Sequence, residues 1–232
     1  MKGLPEAAHI YCADIGSLKK FAWVCADARD QEIAAVDSIS GPLDVSTIDH
    51  LAHCLSTDLA LGLPVALGLE CPLYIPVPEL SQNMLKARDK REGNRAAFAG
   101  AGPGAALAGL QELAYLFKNG IPSSTDVSFD PFEWCEKGKG LLIWEAFVSG
   151  AAHTTDGNDL EDARSGLRAF MKVALKASER TDWNDSWWSQ GQSTFSLAAA
   201  ALIWCRQESG LPFSSPAELL GALRAAPHVF KA

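Results

Sequence analysis

The sequence predicts an α/β protein with a mixed sheet that is flanked by helices. Three observations support this class. The first 40 residues contain three consecutive apolar runs with the composition of strands, a helical pattern follows them, and later apolar runs alternate with amphipathic helices. The length of 232 residues and the apolar fraction of 48% are sufficient for one well-buried core. We therefore expect a single domain over residues 1–232.

The predicted elements begin with a three-strand meander. Residues 8–15 form a buried strand, residues 21–26 form the second strand of a hairpin, and residues 32–39 continue as a third. A helix capped by Ser46 or Thr47 follows, because apolar residues recur three to four positions apart up to Leu59. The almost wholly apolar run 65–72 then predicts a strand that is buried on both faces.

The second half of the chain begins with an insertion and ends with a helical extension. Residues 74–103 are rich in proline, glycine and charge, and we interpret them as a basic insertion between core elements. Residues 178–232 are expected to form a helical extension packed on the core. The other predicted elements are a helix at about 105–118, a strand at 140–145, and helices at 158–177, 194–207 and 216–225.

The composition limits the kinds of molecule and compartment with which we expect the protein to be associated. A formal net charge of −8 argues against broad nonspecific attraction to nucleic acid, which depends on Lys and Arg neutralising phosphates, although a local basic patch can override it. None of the six cysteines is paired at the two-residue spacing of a zinc or thiol redox motif, so we expect buried, reduced thiols. The apolar runs are too short or too interrupted to span a bilayer. We therefore expect no membrane partner and a cytoplasmic location, and a homodimer is considered as an assembly.

Acidic residues stand where predicted elements end or begin. Asp14, Glu70 and Glu145 each follow or end an apolar strand, and Asp159 and Asp162 lie in the first turn of a predicted helix. An acid at a strand end beside a flexible turn is an arrangement that suits a hard cation or a phosphate. Asp159 and Asp162 are three residues apart, so they share one helix face.

The order of these elements and acids resembles the ribonuclease H-like fold, within it the Holliday-junction-resolvase branch and the DUF429 family of predicted nucleases. The resemblance covers residues 8–177 and depends on Asp14 in Ala-Asp-Ile-Gly-Ser and Glu70 in Leu-Gly-Leu-Glu-Cys-Pro, together with the later acids. It implies two Mg²⁺ or Mn²⁺ ions about 3.5 to 4 Å apart on either side of a scissile phosphate. By the same resemblance, Asp14, Glu70 and Asp162 are the expected catalytic metal ligands, with Asp159 or Glu145 completing the set.

The basic insertion contains the arginines that we expect to contact phosphate. Arg88, Arg91 and Arg95 follow the strand that ends at Glu70, and arginine binds phosphate oxygens in a bidentate manner. Two alternatives stay open, since the cluster can also form a solvated face and Glu145 can pair with one of its arginines. The tryptophans at 183, 187 and 188 can stack on bases, but packing of a loop onto the core is the favoured interpretation.

The leading functional hypothesis is a divalent-metal-dependent nuclease that acts on nucleic acid. A phosphotransferase-like or nucleotide-binding protein is an alternative, because such proteins share this core and also have Asp-x-Gly after the first strand. That alternative predicts a second copy of the fold, and no such copy is evident in the sequence. A third hypothesis is a noncatalytic binding or assembly module that retains the fold and binds metal weakly or not at all.

Overall fold

A computed structural model of the chain has a mixed β-sheet that is flanked by helices on both faces. It describes residues 4–17, 20–29, 37–41, 45–83, 85–92, 102–148, 159–185, 193–208 and 215–232. Within these residues the main sheet has seven strands, and a separate pair of strands forms a small second sheet. The α/β class and the mixed sheet predicted from the sequence are therefore confirmed.

Strands and helices alternate through most of the chain. The strands in the described residues are β1 (His9–Ser17), β2 (Lys20–Asp27), β3 (Asp37–Gly41), β4 (Val65–Leu69), β5 (Tyr74–Val77), β6 (Val127–Ser128), β7 (Leu141–Phe147), β8 (Ser193–Ser196) and β9 (Val229–Lys231). The α-helices there are α1 (Val45–Ala60), α2 (Gly102–Asn119), α3 (Pro131–Lys137), α4 (Asp159–Ala174), α5 (Leu197–Glu208) and α6 (Pro216–Arg224).

The main sheet joins an antiparallel meander to a group of parallel strands. Its order is β3-β2-β1-β4-β7-β6, and β9 also pairs with β7. β2 pairs antiparallel with both β1 and β3, whereas β1, β4 and β7 run parallel to one another. The carboxyl ends of β1, β4 and β7 therefore meet at one edge of the sheet.

Two hydrophobic cores lie on opposite faces of this sheet. Because successive side chains of a strand point to opposite faces, Tyr11 and Ala13 of β1 belong to one core and Ile10 and Cys12 belong to the other. The first core is covered by α1, α2 and α5, and the second by α3 and α4. The sheet is thus buried on both faces, as the continuous apolar character of residues 65–72 predicts.

Local sequence signals define the ends of several helices. The Asp130 carboxylate accepts hydrogen bonds from the amides of the first turn of α3, Pro131 occupies the first helical position, and Gly138 ends the helix in a left-handed conformation. Ser215 caps α6 in the same way. In α1 the buried side chains recur at the three- and four-residue spacing that the sequence predicts.

The C-terminal segment differs from its prediction as a helical extension. The sequence predicts a helix that begins at about residue 194, but residues 193–196 form β8, which pairs antiparallel with β5. The last strand, β9, joins the main sheet beside β7 and places Phe230 in the core. The predicted third strand is observed at Asp37–Gly41, and the positions before residue 37 in that prediction lie outside the described residues. No helix in the described part of the chain is both long and apolar enough to cross a membrane.

Candidate metal centre

Three carboxylates converge at the edge of the sheet where the parallel strands end. One oxygen each from Asp14, Glu70 and Asp162 lies within 4.8 Å of the other two. Asp14 is 4% exposed and Asp162 is 2% exposed, and Glu70 is partly buried. The structure therefore brings together the three residues that the resemblance implies as catalytic metal ligands.

The register of the sheet positions Asp14 beside Glu70. Ala13 in β1 is opposite Leu69 in β4, and the amide of Glu70 donates a hydrogen bond of 2.9 Å to the carbonyl of Ala13. Asp14 follows Cys12 by two residues, so its side chain points to the face of the sheet that α4 covers. By the same alternation, the side chain of Glu70 points to the face occupied by Ala66. The two acids thus share one face at neighbouring strand ends.

Helix α4 reaches this edge because it packs very closely on the sheet. A methyl group at Gly166 would lie 2.9 Å from both the Cys12 sulfur and the Ala146 methyl, so only glycine permits the observed approach. Asp162 lies four residues before Gly166, on the same helix face. The close contact at Gly166 therefore directs the Asp162 carboxylate towards the ends of β1 and β4.

Burial and like charge make the centre unfavourable for three free carboxylates. Burial, followed by the negative charges of Asp14 and Asp162, raises the pKa of Glu70 to about 9, while the amide of Val148 acts in the opposite direction. The Oε2 atom of Glu70 is buried and has no hydrogen-bond partner among the described residues. An unpartnered carboxylate oxygen beside two other acids fits a divalent cation, since Mg²⁺ and Mn²⁺ favour carboxylate ligands.

Glu112 is a buried acid near this centre that was not identified from the sequence. It lies in α2, is 4% exposed, and neither carboxylate oxygen has a hydrogen-bond partner in the described part of the chain. Burial and then the charge of Asp14 raise its pKa to about 8. A signal was present, because Glu112 is adjacent to Leu113 and one turn before Leu116, both of which lie on the apolar face of the helix.

The structure does not bring Glu145 to the three acids. Its Oε2 accepts hydrogen bonds from the Leu73 amide at 2.9 Å and from Arg88 at 2.8 Å. Glu145 lies two residues after Ile143 in β7, so the two side chains share one face of the sheet. Ile143 belongs to the core on the face opposite α4. The predicted metal contact at Glu145 is therefore corrected to a buried ion pair, the alternative that the sequence had left open.

Asp159 is half-buried in the first turn of α4 and is not one of the three acids whose oxygens are mutually close. It lies one turn before Asp162. Its contribution to a metal site stays a prediction.

The arginines of the insertion have different surroundings. The guanidinium of Arg88 is buried between Glu145 and Glu92, with a distance of 2.5 Å from Nε to Glu92 Oε1. Burial alone would lower the pKa of Arg88, but Glu145, Tyr74 and Glu92 together raise it above its usual value, so the guanidinium stays charged. The prediction that Arg88 binds phosphate is therefore corrected, because its guanidinium is held by two internal carboxylates and donates to the carbonyl of Tyr74 at 3.2 Å. Arg91 pairs with Asp89 at 2.7 Å and remains partly exposed, and Arg95 lies outside the described residues.

The remaining candidates from the sequence are structural where the structure describes them. Trp183 is 4% exposed and its ring centroid lies 6.1 Å from that of Phe170, which agrees with packing and not with base stacking. The tryptophans at 187 and 188 lie outside the described residues. All six cysteines are free thiols, and five of them are buried, as expected for small apolar residues.

Comparisons with known proteins give no family for this chain. No protein-family model, no curated protein and no solved structure matches it. Fold and site together define an α/β protein with a buried acidic centre at the carboxyl edge of its parallel strands.

Proposed function

We propose that the protein is a divalent-metal-dependent nuclease with a ribonuclease H-like fold, which hydrolyses phosphodiester bonds by a two-metal mechanism with Mg²⁺ or Mn²⁺. The observation that carries this proposal is the convergence of Asp14, Glu70 and Asp162 within 4.8 Å. These residues are far apart in the sequence and come from two strands and a helix. Such convergence of buried acids costs free energy unless a cation compensates their charge.

The arrangement of elements supports the ribonuclease H-like part of the proposal. An antiparallel meander, β3-β2-β1, is continued by the parallel strands β4 and β7, and a late helix with acids in its first turn covers the strand ends. The acids occupy the positions in this order that the resemblance implies. The direction of the Glu70 side chain is inferred from the register of β1 and β4, which extends to Leu69, the residue before Glu70.

Each of the three residues has a defined task in this proposal. Asp14 and Glu70 supply carboxylate oxygens from adjacent strand ends, and Asp162 supplies one from the helix above them. When bound, the metal ions polarise the phosphate and lower the pKa of a coordinated water. The buried surroundings strengthen every electrostatic interaction within the centre, because the effective dielectric constant there is lower than in water.

Recognition of the substrate is the less defined part of the proposal. Arg91 and Arg95 remain proposed phosphate ligands, whereas Arg88 is held by internal carboxylates. Nucleic acid as the substrate and a homodimer as the assembly also remain predictions.

The proposal is tested by metal binding and by cleavage in parallel. Wild-type protein, Asp14→Asn and the control Asp126→Asn are titrated with Mn²⁺ by calorimetry and incubated with labelled single-stranded, duplex and branched DNA and RNA. Asp14→Asn keeps the size of the side chain and removes its charge. Asp126 pairs with Lys137 at 3.0 Å on the surface, so its substitution controls for loss of a carboxylate elsewhere.

We expect wild type and Asp126→Asn to bind Mn²⁺ and to cleave at least one substrate. Asp14→Asn should lose both properties while its circular dichroism spectrum stays unchanged. Metal binding without cleavage of any substrate would instead favour the noncatalytic module. Absence of Mn²⁺ binding by the wild type would reject the metal centre itself.

A further inference from the structure

Glu112 has a buried carboxyl group for which the described residues provide no hydrogen-bond partner. Other buried acids have evident partners: Glu92 and Glu145 share Arg88, and Asp58 accepts hydrogen bonds of 2.6 Å from Tyr11 and pairs with His9. Both oxygens of Glu112 are buried without a hydrogen-bond partner among the described residues. A carboxylate in that state is expected to be costly unless it stays protonated or binds a cation.

Helix α2 brings Glu112 to the carboxylate centre. Gly109 packs so closely on the strand ends that a methyl group there would collide with the Cys71 thiol and lie 3.1 Å from the Ile15 side chain. Ile15 directly follows Asp14, and Cys71 directly follows Glu70. Glu112 lies three residues after Gly109, on the same face of the helix.

The centre is therefore approached by one helix from each side of the sheet. Asp162 arrives from α4, on the face to which Asp14 points, and Glu112 arrives from α2 on the other face. Burial and then the negative charge of Asp14 raise the pKa of Glu112, in agreement with the packing of α2 at Gly109 against the residues that follow Asp14 and Glu70. Asp14 lies between the two helices. Its carboxylate is therefore the one that could be shared by an ion bound to Asp162 and an ion bound to Glu112.

The balance of charge supports a second cation on the α2 side of Asp14. When ionised, Asp14, Glu70, Asp162 and Glu112 carry four negative charges, which one divalent ion compensates only by half. Two divalent ions would compensate them fully. No cationic side chain of the described residues is among the groups that act most strongly on Glu70 or Glu112, whereas Arg88 acts on Glu145.

We propose that Glu112 is the fourth carboxylate of the metal centre and that, together with Asp14, it holds a second divalent cation. This inference rests on the proposed function, since it assigns the ligands of the second ion in the same site. The first ion is then bound mainly by Asp14, Glu70 and Asp162, and the second is bound on the α2 side of Asp14. A change at Glu112 should remove the second ion and leave the first in place.

The test counts bound Mn²⁺ ions by electron paramagnetic resonance, independently of any cleavage assay. Glu112→Gln is compared with wild type, with Asp162→Asn and with the control Glu136→Gln, an exposed acid of α3. Wild type and Glu136→Gln should bind two Mn²⁺ ions per chain, with the coupled signal of two neighbouring ions. Glu112→Gln should bind one ion and lose the coupled signal. Glu112→Asp, which keeps the charge but shortens the side chain, should retain two ions with weaker affinity for the second.

The outcomes separate this inference from the proposed function. Two ions in Glu112→Gln with unchanged affinities would overturn the role of Glu112 and leave the metal centre intact. The wild type could also bind a single Mn²⁺ ion. If Asp162→Asn then weakens the binding of that ion and Glu112→Gln does not, the role of Glu112 would be overturned as well. Absence of Mn²⁺ binding by wild type would overturn both. If Glu112→Gln does not fold, Glu112→Asp provides the same test, and an unaltered second affinity there would reject the proposal.

Discussion

At the residue scale, Glu70 has a carboxyl group that the metal-free protein holds in its protonated form near neutral pH. Burial is the main reason, and Asp14 and Asp162 add to it, so that its pKa is about 9 instead of the ordinary 4.5. Glu112 behaves similarly, with a pKa of about 8. Ionising either group inside the fold is unfavourable, and a bound cation would reverse this preference because it favours the carboxylate form.

These shifts predict that the metal-free protein loses stability as the pH rises. A group whose pKa is higher in the folded state stabilises the fold fully below its unfolded pKa of 4.5, and this stabilisation is lost as the pH rises through the folded values of about 8 and 9. In a chelating buffer, the Tm should therefore fall between pH 7 and pH 9, by roughly 5 °C or more for a chain of this size. Mn²⁺ should restore it most strongly at pH 9.

The variant Glu70→Gln tests this prediction, because the amide side chain has no titrating proton, and Glu136→Gln is the control. Glu70→Gln should reduce the decline in Tm to the part that Glu112 contributes, whereas Glu136→Gln should keep the decline of the wild type. His228 acts in the opposite direction, because burial lowers its pKa to about 4 from 6.5, but that effect ends below the pH range of the measurement. A Tm that stays constant or rises from pH 7 to pH 9 would contradict the assignment of Glu70 as a buried, uncompensated acid.

The residues also show how far a sequence can define such a centre. Asp14 and Glu70 were identifiable because each follows an apolar run and neighbouring parallel strands end at the same edge. Glu145 has the same pattern but faces the other side, because one residue of register exchanges the two faces of a strand. In strands that are buried on both sides, apolar residues occupy both faces, so the sequence does not distinguish them.

At the element scale, the centre depends on two helices that approach the sheet through glycines. Gly166 in α4 and Gly109 in α2 each occupy a position where a methyl group would overlap a cysteine side chain or come very close to it. Asp162 and Glu112 lie within one turn of these glycines. The distance between helix and sheet therefore determines how far each carboxylate reaches, and close packing of the interior leaves little freedom to adjust it.

Substitution of glycine by alanine at two positions of α2 should have different effects on stability. Gly109→Ala should destabilise the protein by about 1 to 3 kcal/mol, because the added methyl group overpacks against Cys71 and Ile15, and it should weaken Mn²⁺ binding by displacing the helix. Gly104→Ala, in the same helix with no atom within 4 Å of the added methyl, should be neutral or stabilising by up to about 1 kcal/mol. Urea denaturation and calorimetry measure both quantities.

A second variant makes this prediction specific to packing. Removing the thiol in Gly109→Ala/Cys71→Ala should recover part of the stability that Gly109→Ala loses, because the main overlap is with sulfur. Equal destabilisation by Gly109→Ala and Gly104→Ala would indicate a general effect of helix composition and would contradict the close approach of α2.

The elements that the sequence did not predict are short or depend on distant partners. β6 has two residues, β9 has three, and β5 contains Pro76, so none carries a periodic pattern long enough to identify. β8 directly precedes α5, and its local sequence predicts that most of it belongs to that helix. Its strand conformation depends on pairing with β5, which is more than 100 residues away in the chain. Tertiary pairing of this kind is not encoded in local propensity.

At the scale of the whole molecule, the C-terminal strand joins the end of the chain to the sheet that carries the acids. β9 pairs with β7, and Phe230 packs in the core on the α4 face with ring centroids 4.9 Å from Phe170 and 5.6 Å from Trp144. The last described residues therefore contribute to the same core as the helix that presents Asp162. This arrangement favours one cooperative unit, and the single domain expected from the sequence stays a prediction.

Phe230→Ala tests this cooperativity. Loss of a fully buried ring should cost about 3 to 5 kcal/mol and should lower the Tm of the entire protein by roughly 10 °C. The near-ultraviolet signal of the tryptophans and the far-ultraviolet signal of the helices should shift together in a single transition. Leu220→Ala in α6, where the side chain is 49% exposed, should change stability by less than about 0.5 kcal/mol. Two transitions, of which Phe230→Ala shifts only one, would instead show that the C-terminal segment folds independently of the sheet that holds Asp14 and Glu70.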